Sequence, residues 1–367
     1  MGDSTLTQTT LAFSTLNESA FNTYPDEAAD YTTYETTARA MPLPDAEKQQ
    51  DEPRIGAGAA GAYPTFQRSG VLQPIAVEIA DVVNAEKFPI FSQMYFGEPE
   101  VSGDIAVVEA SKAWRHFFYK QNFDELGRQL PSKSFIMKNN GAAFIYTGGV
   151  GGSLNMQQSG IVDPKFSFGV ITSGNYVELS TLGSFGTLSV PTRDPLKDMM
   201  GAESILSYND GSSRNLNGRW KSITWNANNN IDTGDLRAGL PRTAAATCPT
   251  RGWYRNKLLA GDESVAIEFR VAHDDVMREW NSAQLDTALT SFEWLMKGSC
   301  IPTTAAANQY SVKNSVGKCY FRNVRGGEDN NLAIQDVAVF PVRNGSYFGV
   351  WKQEIVNGSS GVLQAVS

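Results

Sequence analysis

Between residues 133 and 225 the chain breaks into short β-prone runs separated by glycine and asparagine, and this spacing constrains the fold more than any other feature. The runs fall at 134–138, 143–147, 165–172, 176–180, 187–190, 205–208 and 220–225. Between them stand Asn139-Asn140-Gly141, Gly148-Gly149-Val150-Gly151-Gly152, Ser173-Gly174-Asn175 and Asn209-Asp210-Gly211, all read as turns. Strands recurring every ~8–12 residues with such punctuation predict an all-β sandwich or barrel. No strand–helix–strand alternation appears, which argues against a parallel doubly wound sheet.

The flanking regions extend this pattern. Residues 257–272 carry one strand in which Val265, Ile267, Phe269 and Val271 alternate with Glu268 and Arg270. Further strands are predicted at 310–313, 318–324, 332–342, 346–355 and 361–366, with turns at Asp329-Asn330-Asn331 and Asn344-Gly345. Residues 71–96 read as extended, with Pro74 and Pro89 at sheet edges or strand starts. Two helices are expected. One spans 104–130 on the spacing of Ala110, Trp114, Phe117, Gln121 and Leu126, and Pro131 ends it. The other spans 274–297, capped by Asp274 or Asp275, striped by Met277, Trp280, Leu285, Leu289, Phe292, Leu295 and Met296, and stopped at Gly298. The long polar connection 226–256 is where the body divides, if it divides.

Charge separates the two ends of the molecule. Residues 1–53 hold ten acids and two bases, and so carry the whole formal net charge of −8. The rest balances at 29 of each sign. The acidic stretch is studded with Phe13, Phe21, Tyr24, Tyr31 and Tyr34. Mobile tails are usually poor in aromatics. These five therefore read as anchors of an extended strap that lies on another surface. Gly56, Gly58 and Gly61 make a hinge, so an arm of 1–68 precedes a β-rich body of 69–367. The glycines lack the Lys-Ser/Thr of a phosphate loop. An acidic arm repels phosphate, so nucleic-acid contact is at most indirect or through the body. Arg237, Arg242, Arg251, Arg255 and Lys257 form a locally basic segment. It is the candidate receiver for the acidic arm of a neighbouring copy.

No residue set selects an enzyme, and no cofactor or metal is expected. The chain has two histidines, His116 and His273, and no CxxC, HExxH or calcium-loop motif. Cys248, Cys300 and Cys319 read as free thiols, with a Cys300–Cys319 bridge as the alternative. Asp262-Glu263 and Asp274-Asp275 are adjacent pairs whose members point to opposite faces of a strand. The nucleophile elbow Gly-x-Ser-x-Gly is absent. The competing enzyme reading is a glycoside-hydrolysing or carbohydrate-binding sandwich using Trp220, Trp225, Trp253 or Trp351. No apolar run approaches the ~18 residues of a membrane span. The first residues carry neither a basic nor an apolar signal-peptide region, and Leu6 breaks the myristoylation pattern.

The long arm, the glycine-bounded strands, the low charge and the two helices together resemble the layout of viral or phage capsid (coat) proteins. Among these, the strand count and turn density resemble the jelly-roll type, single with insertions or double. The resemblance implies a mainly β antiparallel sandwich with an extended N-terminal arm. It implies a structural protein that self-assembles into an icosahedral shell, with the arm strapping neighbouring subunits. Its partners would be other copies of itself and other capsid proteins, and its place the virion, assembled in the host cytoplasm. One alternative is the α+β tailed-phage coat fold, with 274–297 as its spine helix. A phage tail or tube component is another.

Overall fold

The structure is a computed structural model and describes residues 10–34, 46–50, 67–97, 105–109, 112–119, 130–138, 143–179, 182–189, 194–233, 258–272, 291–302, 308–329, 332–342 and 350–358. Strands β1 (Thr10–Ser14), β2 (Tyr31–Tyr34), β3 (Ala46–Gln50), β4 (Gln67–Leu72) and β5 (Ala76–Val82) precede helix α1 (Phe88–Phe96). Next come β6 (Ile105–Glu109), β7 (Ala113–Tyr119), β8 (Lys133–Lys138), β9 (Ala143–Ser159), β10 (Lys165–Ile171) and β11 (Tyr176–Leu179). Then follow β12 (Met200–Asn209), β13 (Ser213–Asn215), β14 (Trp220–Asn228), β15 (Ser264–Ala272) and β16 (Ser291–Cys300). The last are β17 (Gln309–Val316), β18 (Cys319–Asp329), β19 (Leu332–Pro341) and β20 (Lys352–Asn357).

The fold is mainly β and antiparallel. An eleven-stranded sheet runs β18-β19-β15-β14-β9-β8-β1-β2, with β10 and β11 branching from β9 and β5 pairing with β10. A seven-stranded sheet runs β13-β12-β16-β17-β20-β7-β6, and among the described residues β3 and β4 pair only with each other. Alternation along each strand decides which face is buried. Phe166, Met156, Trp225, Ile267, Val339 and Phe321 stand opposite one another across six strands of the large sheet, all buried. Leu206, Trp294, Asn314, Gln353 and Phe118 do the same across the smaller one. The two rows meet face to face, with Trp225 stacked 6.2 Å from Phe292 and Phe269 5.4 Å from it.

Helix α1 is buried at all nine of its residues. Residues 88–96 were expected to be extended, so this is a correction. Pro89 sits in the first turn, where its missing N–H costs nothing. An apolar run buried all round carries no amphipathic stripe, and so reads equally as a buried strand. The helix expected at 104–130 is replaced by the hairpin β6–β7 over 105–119, while 120–129 lie outside the described residues. Of the helix expected at 274–297, residues 291–297 belong to β16, with Phe292, Trp294 and Met296 inward. The remainder, 274–290, lies outside the described residues. Among the described residues α1 is the one α-helix.

The run Gly148-Gly149-Val150-Gly151-Gly152 is not a turn but the middle of the 17-residue strand β9. Its glycines admit close neighbours: a Cβ at Gly149 would stand 2.8 Å from the Lys133 carbonyl oxygen. The turn at Asn209-Asp210-Gly211 forms as read, with Gly211 at φ 111°. Residues 183–187 form a 3-10 turn instead of leading into the expected strand at 187–190.

Candidate functional site

The acidic N-terminal stretch carries the strongest sequence signal, and part of it is built into the body. β1 pairs with β8 on one side and β2 on the other, setting Leu11 opposite Tyr34 and Phe13 opposite Thr32. Phe13 is fully buried, its ring 5.4 Å from Phe135 and 5.7 Å from Phe91, and Tyr34 lies 5.4 Å from Phe91. Tyr31 packs edge-on to Phe185 at 5.7 Å. Burial pushes the phenols of Tyr31 and Tyr34 well above their ordinary range. Half-buried Phe21 and Tyr24 pack against smaller clusters around Leu130 and Tyr31 respectively. All five of these aromatics pack against the body of their own chain. Their own chain supplies the apolar surface that the aromatics require.

Buried Lys133 and half-buried Glu18 fix the connection between β1 and β2. The Lys133 ammonium, at the start of β8, donates to the carbonyls of Thr15 at 3.0 Å and Ser14 at 3.4 Å. The Glu18 carboxylate accepts from Gly148 N at 2.8 Å, Ser132 Oγ at 2.7 Å and Asn22 N at 2.9 Å. Desolvation raises the Glu18 pKa, and these three hydrogen bonds act in the opposite direction. The basic segment Arg237, Arg242, Arg251, Arg255 and Lys257 lies outside the described residues, as does the hinge at 56–61. The strands that flank it, β14 and β15, are paired neighbours in one sheet.

The residues singled out for chemistry are dispersed. His116 is buried and its Nε2 lies 2.9 Å from Asn357 Oδ1, whose amide donates to Ala85 O. Trp225 and Trp351 are fully buried between the sheets, and Trp253 lies outside the described residues. Glu263 accepts from Tyr95 Oη at 2.9 Å and Trp351 Nε1 at 3.0 Å. Among the described residues no three His, Cys, Asp or Glu side chains group together as metal ligands. Cys300 is exposed and Cys319 buried, both free, and burial pushes the Cys319 thiol up to about 12. Among the described residues no helix is long and apolar enough to cross a membrane.

Sequence reasoning did not find an open sheet edge. β18 ends the eleven-stranded path, and among the described residues it pairs with β19 alone. On its outer face Tyr320 stands directly opposite Phe340, and the two are 40% and 48% exposed. The alternation of Tyr320 against buried Phe321 was the available signal. No protein-family model matches the chain, and no curated protein matches it in sequence.

Proposed function

We propose that the chain is a structural subunit that self-assembles into a virus or phage capsid shell of jelly-roll type. The observation that carries this reading is the open edge β18 beside the Tyr320–Phe340 pair. Among the described residues this eleven-residue strand pairs on one side only, and its other side offers backbone donors and acceptors. Soluble monomers usually blunt such edges. Aromatic side chains exposed beside one add apolar area for a partner to bury. A closed shell requires one such contact repeated by symmetry.

In this reading the strapping role falls to β3 and β4, in and at the end of the 1–68 arm. Residues 10–34 are committed to the body, whereas the β3–β4 pair belongs to neither large sheet. The test is negative-stain microscopy of the purified protein beside a Tyr320→Asp/Phe340→Asp variant. Closed particles are expected from the first and dispersed, folded subunits from the second. Open tubes would favour the tail or tube reading. A monomer at every concentration would overturn assembly altogether.

A further inference from the structure

The outer face of the large sheet carries a groove of about 640 Å³ across β5, β10, β9 and β14. Its shape follows from the register. Ala80, Ser167, Asn155 and Asn226 stand opposite one another on successive strands, and a second row holds Val82, Lys165, Gln157 and Thr224. Ala80 and Ser167 are small and lower the floor. The longer Gln157 and Lys165 side chains, both exposed, raise one wall, with Glu78 at the other end. At roughly 4.8 Å between strands, the groove spans about 14 Å.

Its chemistry is unusual for a surface of this size. Three amides (Asn155, Gln157 and Asn226) and two hydroxyls (Ser167 and Thr224) converge there. Among the described residues their side chains make one hydrogen bond, Asn155 Nδ2 to Ser167 Oγ at 3.5 Å. The remaining donors and acceptors face the open groove. One lysine, Lys165, lines the groove together with the acid Glu78, so these outward side chains offer no excess positive charge for a phosphate or sulfate. No aromatic side chain lies on these two outward rows, although Phe166 and Met156 on the intervening positions also line the groove.

We infer that this groove binds a neutral, hydroxyl-rich ligand, a short uncharged oligosaccharide. Amides and hydroxyls both donate and accept, and so match vicinal hydroxyls that do the same. The volume lies within the ~300–1,000 Å³ usual for ligand sites. The site does not depend on assembly, since all four strands belong to one chain and the groove lies away from β18.

The test is calorimetric titration of the full-length protein with a panel of neutral hexasaccharides: maltohexaose, cellohexaose, mannohexaose and chitohexaose. A sulfated heparin hexasaccharide serves as the charged control. Saturable binding of one neutral member is expected, and Asn155→Ala and Asn226→Ala should each weaken it about five-fold. Thr224→Arg, which projects a long side chain into the groove, should abolish it. All three substitutions are on the outer face and should leave the melting temperature unchanged. No saturable binding of any neutral member at millimolar concentration overturns the inference. So does binding that the three variants leave intact, or preference for the heparin control.

Discussion

Lys133 Nζ donates to the carbonyl oxygen of Thr15 at 3.0 Å, joining positions 118 residues apart, and the lysine has no solvent exposure. An ammonium is buried only where acceptors replace its water. Here the acceptors are main-chain carbonyls of the chain's own first strand and the residue after it. The contact therefore makes residues 10–34 part of the body's core rather than an appendage.

Lys133→Met keeps the stem volume but leaves the Ser14 and Thr15 carbonyls without their cationic donor. A hydrogen bond to a charged group contributes about 1.5–3 kcal/mol, and an unsatisfied carbonyl adds its own desolvation cost. The variant should lose about 2 kcal/mol in chemical denaturation. Amide exchange should accelerate over residues 10–34 before it does elsewhere. Unchanged exchange there would refute the clamp.

Deleting residues 1–34 should not leave a competent body. It removes Leu11, Phe13 and Tyr34 from the main cluster and uncovers β8. Loss of a buried Phe alone costs about 3–5 kcal/mol when truncated to Ala. The truncated protein should be insoluble, or lack a cooperative melt in differential scanning calorimetry.

The pH dependence at Glu18 has a definite sign. Burial raises its carboxyl above the ordinary 4.5, so the folded state holds the proton more tightly than the unfolded state. Its contribution to stability is present below pH 4.5 and is lost as pH rises through the higher folded value. Against Glu18→Gln, the wild type should lose relative stability as pH rises above 4.5. Paired thermal melts across that range measure the slope. A slope of opposite sign would show that the three hydrogen bonds outweigh desolvation.

Much of the sandwich is legible in the sequence, because alternation survives wherever one strand face meets the core. Val265, Ile267, Phe269 and Val271 read correctly as one strand for that reason. The signal fails where outward positions are also apolar. Outward Phe117 and half-buried Trp114, which shares the face of His116 and Phe118, imitate a helical spacing on β7. It fails again at α1, where burial on every side erases periodicity. The polar groove was illegible for another reason. Asn155, Ser167 and Asn226 are unremarkable singly, and only the register of three strands brings them into one row.

Trp225 tests the seam between the sheets. Its indole lies 5.2 Å from Trp351, and its Nε1 is buried with no hydrogen-bond partner among the described residues. Trp225→Ala should cost about 3–5 kcal/mol through the cavity it opens. Trp225→Phe should cost clearly less, because removing an orphaned donor offsets part of the lost packing. Urea midpoints at constant m-value decide between them. Equal losses would mean that the donor carries no penalty.

Gly151 fixes how closely α1 approaches β9. A Cβ there would stand 2.6 Å from the Met94 carbonyl oxygen and 2.9 Å from the Phe168 ring. The first of these is helix backbone, which cannot swing aside as a side chain does. Gly151→Ala should push the helix off the strand and cost about 1–3 kcal/mol. Gly186→Ala is the matched control, since its nearest neighbour would be 3.8 Å away, and it should stay within about 0.5 kcal/mol of wild type. The distinction separates glycines that serve close packing from those that serve none. It also explains why a run of four glycines around Val150 belongs in a strand: a side chain at 149 or 151 would strike backbone of β8 or α1.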